Sequence, residues 1–103
     1  MDLSQQDWIS GQQQNPKSII LDVRTEEEFE AGHLQHAQLL DIRDPEGFME
    51  GVRQLEADTT YYVYCRSGAR SAQACQILKQ SGIPDCYNLL GGILDWKGEV
   101  VTD

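Results

Sequence analysis

The chain has 103 residues, enough for one domain that spans residues 1–103 and has one hydrophobic core. A net charge of −9 argues against nucleic acid as a partner, and no apolar run approaches the ~20 residues of a membrane-spanning helix. The first residues do not have the pattern of a signal peptide, and the three cysteines, odd in number, fit neither a disulfide framework nor a metal site. We therefore expect a cytoplasmic protein with free thiols.

The first third of the chain predicts two helices and a buried strand. Ser4 can cap a short helix, and the glutamine-rich segment 11–17 is predicted to be a loop. Residues 18–23 form a nearly continuous apolar run of strand length, which suits the centre of a parallel sheet. Residues Thr25–Glu28 have a capping-box pattern, so a second helix is predicted to begin there and to end at Gly32.

The middle of the chain continues the alternation of strands and helices. Residues Gln38–Ile42 are predicted to form a third strand. Asp44 and Pro45 are typical of a helix start, as N-cap and first helical residue. Residues Tyr61–Tyr64 are aromatic or β-branched and predict a strand, and residues 70–79 predict a helix.

The last third predicts one more strand, over Asp85–Leu89, and then a tight turn at Gly91–Gly92. A terminal helix is predicted to begin at Ile93, with Trp96 packed on the core. Strands that alternate with helices favour right-handed crossovers. The predicted fold is therefore α/β, a three-layer sandwich with a central parallel sheet of about five strands and helices on both faces.

One loop is placed where such a sheet holds its functional site, at the carboxyl end of a strand. This loop, Cys65–Arg70, joins the predicted strand to a helix N-terminus, and we call it the Cys65 loop. Backbone N–H groups in such a turn can form an anion-binding nest, and the helix dipole adds to their effect. Arg66 and Arg70 add positive charge, so the loop favours a thiolate on Cys65.

The charge distribution singles out the same region. Residues 59–84 contain no Asp or Glu and carry a charge of +3, so the rest of the chain carries −12. The clustering is compatible with chance. The functional interpretation is a local positive field for an anionic substrate.

The segment Cys65–Ser71 resembles the active-site loop of the rhodanese (thiosulfate sulfurtransferase) family, in its single-domain type. Further segments match the family's pattern in order and spacing, so the resemblance covers nearly the whole chain: Leu21–Arg24, Glu28–Phe29, Gly32–Leu34 and Asn88–Trp96. The chain departs from the family after its histidine, where Leu34–Ala37 lacks the usual proline and glycine. This departure makes the geometry of that turn uncertain, and the turn is expected to lie away from the chemistry.

The resemblance implies a sulfurtransferase that works without a cofactor or a metal. Cys65 would be the catalytic nucleophile and would carry a persulfide between a small anionic donor, such as thiosulfate, and an acceptor, cyanide or a thiol. The loop residues that would bind the substrate are Arg66, Ser67, Gly68, Ala69, Arg70 and Ser71. Arg66 would meet the donor's sulfonate, since the family varies this position with substrate, and Arg70 would fix the loop. Asp22 and Arg24 are expected to be a charge pair that gives structural support.

Four other residues have both a functional and a structural interpretation. In the functional interpretation, His33 or His36 would form a catalytic dyad with Cys65. We favour the structural interpretation, in which His33 is a hydrogen-bonding residue after a helix and His36 is an exposed loop residue. Cys75 is expected to be a small buried hydrophobic residue rather than a resolving thiol, and Cys86 to take a core or edge position rather than a redox role.

Two other functions compete with sulfur transfer. Cysteine phosphatases and arsenate reductases also place a thiolate before an arginine, but their signature has five intervening residues, whereas four separate Cys65 from Arg70. Tyr64 also stands where many such phosphatases have a histidine. A persulfide carrier or binding module for a protein sulfur donor or acceptor is the second alternative, and the acidic remainder of the chain would suit a basic partner. The oligomeric state is left open.

Overall fold

The computed structural model describes residues 1–102 and shows one parallel sheet of five strands in the order β1-β5-β4-β2-β3. The strands are β1 (Asp2–Leu3), β2 (Ile19–Asp22), β3 (Gln38–Leu39), β4 (Tyr61–Tyr64) and β5 (Cys86–Leu89). The helices are α1 (Gln5–Gln14), α2 (Glu26–Ala31), α3 (Pro45–Arg53) and α4 (Ala69–Gln80), followed by a 3-10 turn (Ile93–Asp95). The predicted α/β fold with its central parallel sheet is confirmed.

The central strand β4 separates two hydrophobic clusters, because its side chains alternate between the faces of the sheet. Val63 and Cys65 belong to the cluster that α3 and α4 cover, whereas Tyr62 and Tyr64 belong to the cluster around Trp8 of α1. All four residues of β4 are buried, as expected for a strand covered on both faces.

Three helix starts were predicted from local patterns, at Ser4, Thr25 and Asp44, and all three are confirmed. Thr25 and Glu28 form the reciprocal bonds of a capping box at the start of α2. The Asp44 side chain accepts a hydrogen bond from the N–H of Gly47, and Pro45 is the first residue of α3. Within residues 1–102, no helix combines the length and the apolar character that crossing a membrane requires.

The predicted loop over residues 11–17 is wrong in its first half, because α1 continues through Gln14. A Cβ at Gly11 would lie 2.4 Å from the Tyr62 hydroxyl oxygen, so the glycine lets α1 pack closely against this side chain of the sheet. Tertiary packing therefore overrides the low helix propensity of glycine. β1 was not predicted, since two residues carry no periodicity and pair only because β5 lies beside them.

Two other predictions need shorter bounds. β3 ends at Leu39 rather than Ile42, as an edge strand with a partner on one side only, although the N–H groups of Leu40 and Ile42 still bind carbonyls of the β2 segment. The terminal helix is a single 3-10 turn, because Trp96 takes an extended backbone and packs edge-on against Trp8.

The turn that departs from the family pattern keeps a tight geometry without proline or glycine. The N–H of Ala37 donates to the carbonyl of Leu34 over 3.1 Å, and His36 has a φ of 70°. His36 is thus the only non-glycine residue among the described residues with a positive φ. Histidine is one of the side chains that tolerate this region.

Candidate active site

The Cys65 loop begins where β4 ends, between β2 and β5. Cys65 is 1% exposed, although Arg66, Ser67 and Ala69 are exposed around it. Gly68 has a φ of 107° and directly precedes α4, with no side chain that caps the helix. Glycine is therefore required at this position to turn the chain back over the sulfur.

The loop supplies hydrogen bonds to the Cys65 sulfur. The N–H of Gly68 donates to Sγ over 3.1 Å, and the Ser71 hydroxyl oxygen lies 3.3 Å from Sγ. Burial opposes ionisation of the thiol, but the hydrogen bonds from Ser71 and from the N–H groups of Gly68 and Ser67 outweigh it and hold the pKa of Cys65 below its ordinary value. The site therefore favours a thiolate.

A second set of hydrogen bonds extends from Ser71 toward β1. The Ser71 hydroxyl is also bonded to Oδ1 of Asn88, on β5. The Asn88 amide nitrogen donates to Asp2 over 3.0 Å and to the carbonyl of Gly68 over 3.1 Å. These residues connect the edge of the sheet with the Cys65 sulfur.

Arg70 does not present a free charge to the site. Its guanidinium binds the Glu28 carboxylate through two hydrogen bonds of 2.8 and 2.9 Å. The bidentate geometry is that of a strong, oriented pair, and it ties α4 to α2. The same pair, together with the capping contact to Thr25, holds the pKa of Glu28 at about 2.

This ion pair predicts an acid-dependent loss of stability. The pKa of Glu28 lies below the ordinary 4.5, so its contribution is fully present above about pH 4.5 and is lost as the pH falls toward 2. We expect about 1–2 kcal/mol of unfolding free energy to disappear over this range. Urea unfolding at several pH values would measure it. Glu28→Gln should lack this component, while Glu27→Gln, at an exposed neighbouring position, should retain it; equal pH profiles for both variants would contradict the prediction.

Arg66 is the cation that remains available at the loop. It is exposed, and no hydrogen bond or ion pair engages its side chain among the described residues. Ser67 and Ala69 are exposed beside Arg66, and within residues 1–102 the Ser67 side chain makes no hydrogen bond. Ser67 acts on the Cys65 sulfur through its backbone N–H.

The turn after β5 supports the loop from the other side. The N–H of Ile93 donates to the carbonyl of Cys65 over 3.0 Å, and the N–H of Leu94 donates to the carbonyl of Arg66 over 2.9 Å. Gly92, with a φ of 58°, lies so close that a Cβ would be 2.4 Å from the Arg66 carbonyl oxygen. The Cys65 loop and this turn therefore form one unit.

Asp22 and Arg24 lie in a buried polar network beneath the loop. Arg24 donates to the Asp22 carboxylate over 2.7 Å and to the carbonyl of Gly32 over 2.7 Å. The Tyr64 hydroxyl donates to Asp22 and accepts from the N–H of Leu34. None of these contacts reaches Cys65, so the network joins β2, β4 and the segment after α2.

The two histidines and the other two cysteines lie apart from Cys65. His33 is buried, bonds the carbonyl of Phe29 through Nδ1 and stacks on the Phe29 ring, whereas His36 is exposed. Neither bonds Cys65 within residues 1–102. Cys86 donates to the carbonyl of Cys75, and both lie in the core.

Three residues beside the Cys65 loop were not predicted from the sequence to be part of the site. Glu28 was interpreted as a capping residue and Asn88 as part of a strand; both belong to segments that match the family pattern, but neither was given a role at the site. A buried amide in an otherwise apolar strand is a signal that could have marked Asn88. Asp2 carries no signal of its own, because its role depends on the pairing of β1 with β5.

Comparison with known proteins places these features in a family. A family model for the rhodanese-like domain matches residues 5–99. A sulfurtransferase of Allochromatium vinosum is 36% identical over 83 residues, which are 76% of this chain and 70% of that protein. A probable adenylyltransferase/sulfurtransferase of Mycobacterium tuberculosis, MoeZ, is 33% identical over 100 residues, but these are 94% of this chain and only 24% of that protein.

Not every relative is named a sulfurtransferase, and some similar proteins have solved structures. The tRNA uridine(34) hydroxylase of Chlamydia abortus is 31% identical, and the match covers 97% of this chain and 32% of that protein. Among solved structures, a rhodanese-related protein from Thermoplasma volcanium superposes with a TM-score of 0.84 at 28% identity, over 99% of this chain and 98% of that one.

Proposed function

The chain belongs to the rhodanese-like domain family, a family of sulfurtransferase type, and from this premise we propose that it transfers a sulfane sulfur through a persulfide on Cys65. The observation that carries the proposal is the set of hydrogen bonds to the Cys65 sulfur, because they stabilise a negative charge on a nucleophile that is otherwise enclosed. Thiosulfate or a persulfide is the proposed donor.

In the first half-reaction the Cys65 thiolate attacks the outer sulfur of thiosulfate. A bond forms between the two sulfur atoms, the sulfur–sulfur bond of thiosulfate breaks, and sulfite leaves with the electron pair. The N–H groups of the loop then stabilise the charge on the outer sulfur of the persulfide. Because Cys65 is only 1% exposed, the donor approaches end-on through its outer sulfur.

In the second half-reaction an acceptor, cyanide or a thiolate, attacks that outer sulfur. The persulfide bond breaks, its electron pair returns to Cys65, and thiocyanate or a new persulfide leaves. The two half-reactions are separate, so ping-pong kinetics are expected.

The intact mass of the reduced protein tests this proposal most directly. After thiosulfate the mass should rise by one sulfur atom, and after cyanide it should return to its starting value. A folded, reduced protein that gains no mass would show that thiosulfate is not the donor. Polysulfides and a persulfidated protein would then be tried in its place, and no gain with any of them would overturn the persulfide.

Arg66 is expected to govern donor binding. Its unengaged guanidinium is available to the sulfonate oxygens of thiosulfate, so Arg66→Ala should raise the KM for thiosulfate about 5-fold and change kcat less. Steady-state kinetics would measure the split. Lys79→Ala is the matched control, since it removes the same charge from an exposed position of the same acid-free segment. Equal effects on KM and kcat, or equal effects of the two variants, would contradict this role.

A protein donor or acceptor is the second candidate, because two large apolar side chains are exposed beside the loop. Leu90 and Leu94 are 50% and 62% exposed, and the N–H of Leu94 binds the Arg66 carbonyl. Exposed apolar side chains at the rim of a site suit a protein partner. The number of turnovers with thiosulfate and cyanide separates the two: an enzyme cycles with the small acceptor, whereas a carrier loads one sulfur and stops.

A further inference from the structure

The Ser71 hydroxyl faces two acceptors but has a single proton. Its oxygen is within hydrogen-bonding distance of the Cys65 sulfur and of Oδ1 of Asn88. A hydroxyl donates one hydrogen bond at a time. Since the amide oxygen of Asn88 has no proton, Ser71 must be the donor in their contact. Ser71 can therefore donate to Cys65 only by giving up Asn88.

The orientation of the Asn88 amide is set by two other acceptors. One N–H of its nitrogen binds the Asp2 carboxylate, and the other binds the carbonyl of Gly68. A flipped amide would direct its oxygen at both of these acceptors, which is unfavourable. Oδ1 is therefore held toward Ser71.

The charge of Asp2 strengthens this arrangement. A hydrogen bond to a carboxylate polarises the amide, which makes Oδ1 a better acceptor. Asn88 is 2% exposed and Ser71 is 0% exposed, so water does not compete for these groups, whereas Asp2 lies at the surface.

We propose that Asp2 and Asn88 are positioning residues that draw the Ser71 hydroxyl away from Cys65. In the thiol state the Cys65 proton points to the Ser71 oxygen and the hydroxyl stays on Asn88. When Cys65 loses its proton, the Ser71 hydroxyl turns its proton to the sulfur. The Ser71 oxygen and Oδ1 of Asn88 then face each other without a proton between them. The free-energy cost of that contact disfavours the thiolate. The hydrogen-bonded series Asp2, Asn88 and Ser71, which we call the relay, therefore limits the fraction of Cys65 that is ionised.

The relay also gives the Ser71 hydroxyl a different partner in the thiolate and in the persulfide of the proposed reaction. In the persulfide the charge lies on the outer sulfur, and Sγ becomes a neutral, weaker acceptor. The Ser71 hydroxyl then returns to Asn88. This inference rests on the proposed role of Cys65 as the nucleophile, but its test uses no sulfur donor, so the two proposals can fail separately.

Charged groups also lie on the elements that surround Cys65. They are Arg66 and Arg70 on the loop, Asp22 at the end of β2 and Arg24 after it, Glu28 on α2, Asp2 on β1 and Asp95 after the glycine turn. Asp2 is an anion, so its removal would favour the thiolate through space as well as through the relay. A double-mutant cycle with Ser71 distinguishes the two routes, since the other charges stay the same in every variant.

The experiment measures the rate of Cys65 alkylation by iodoacetamide from about pH 5 to about pH 10, with the modified cysteine assigned by peptide mass. Below the pKa, Asp2→Ala should alkylate about 3-fold faster, and Ser71→Ala about 10-fold slower, than the unchanged protein. In the Ser71→Ala background, Asp2→Ala should change the rate less than about 1.5-fold. Asp2→Asn keeps an acceptor without the charge and should lie between Asp2→Ala and the unchanged protein.

Equal acceleration by Asp2→Ala in both backgrounds would mean that Asp2 acts through space and would overturn the relay. So would the absence of any acceleration, or a Ser71→Ala variant that reacts like the unchanged protein. Should Ser71→Ala not fold, salt provides the second measurement. At ~1 M KCl a through-space effect of a surface charge is largely screened, so persistence of the 3-fold acceleration supports the relay and its loss overturns it.

Discussion

Replacing Cys65 by serine is expected to lower sulfur transfer from thiosulfate to cyanide by at least about 10³-fold. The serine hydroxyl is not ionised near neutral pH, and the hydrogen bonds to Sγ that favour a thiolate would hold a neutral oxygen instead. Initial rates of thiocyanate formation would measure the loss, and intact mass would show no added sulfur.

The other cysteines provide the control for this experiment. Cys75→Ala removes another buried thiol from α4 and should leave the rate per folded molecule nearly unchanged. The hydrogen bond with Cys86 and burial both raise the pKa of the Cys75 thiol, so it is a poor nucleophile. Transfer that survives in Cys65→Ser with the same donor would mean that the sulfur travels through another group.

Gly92→Ala is expected to have the second largest effect, on stability and on activity together. Its added Cβ would lie 2.4 Å from the Arg66 carbonyl oxygen and 2.6 Å from that of Cys65, at a φ of 58°. These are backbone atoms, so the Cys65 loop itself must shift. We expect a loss of about 2–4 kcal/mol of unfolding free energy. A displacement near 1 Å in a reacting loop lowers the rate about 10²-fold.

Gly82→Ala is the control that distinguishes backbone strain at a positive φ from a steric clash of the added Cβ. Gly82 has a φ of 90°, but a Cβ there would meet no atom within 4 Å. The control should lose about 1–2 kcal/mol because of its backbone conformation alone and keep its activity per folded molecule. Urea unfolding and steady-state rates would be compared for both variants. A Gly92→Ala protein that stays as active as Gly82→Ala would show that the glycine turn does not position the nucleophile.

Some features followed from short stretches of sequence because their causes are local. The capping box at Thr25 and the Asp44–Pro45 helix start are patterns of a few neighbouring residues, and both formed as predicted. Strand β4 was predicted from four adjacent aromatic or β-branched residues. The Cys65 loop was recognised in the same way, since a strand, a tight loop and a helix start follow each other directly.

Where the prediction was wrong, a distant contact changed the result. The close packing of Gly11 on Tyr62 lets α1 continue through Gln14, and the contact of Trp96 with Trp8 ends the terminal helix after one turn. Helix propensity contributes up to about 1 kcal/mol per residue, even for glycine, so packing against the sheet decides such cases.

The alternation of strands and helices, the parallel sheet and the family resemblance centred on Cys65 could all be inferred from the residues alone. The pairing of Arg70 with Glu28, the position of Gly92 against the loop and the contact of Asp2 with Asn88 beside the site are seen only in the folded chain. They depend on the order of the strands in the sheet. It brings together residues such as Asp2 and Asn88, which are 86 positions apart, and no local pattern encodes their contact.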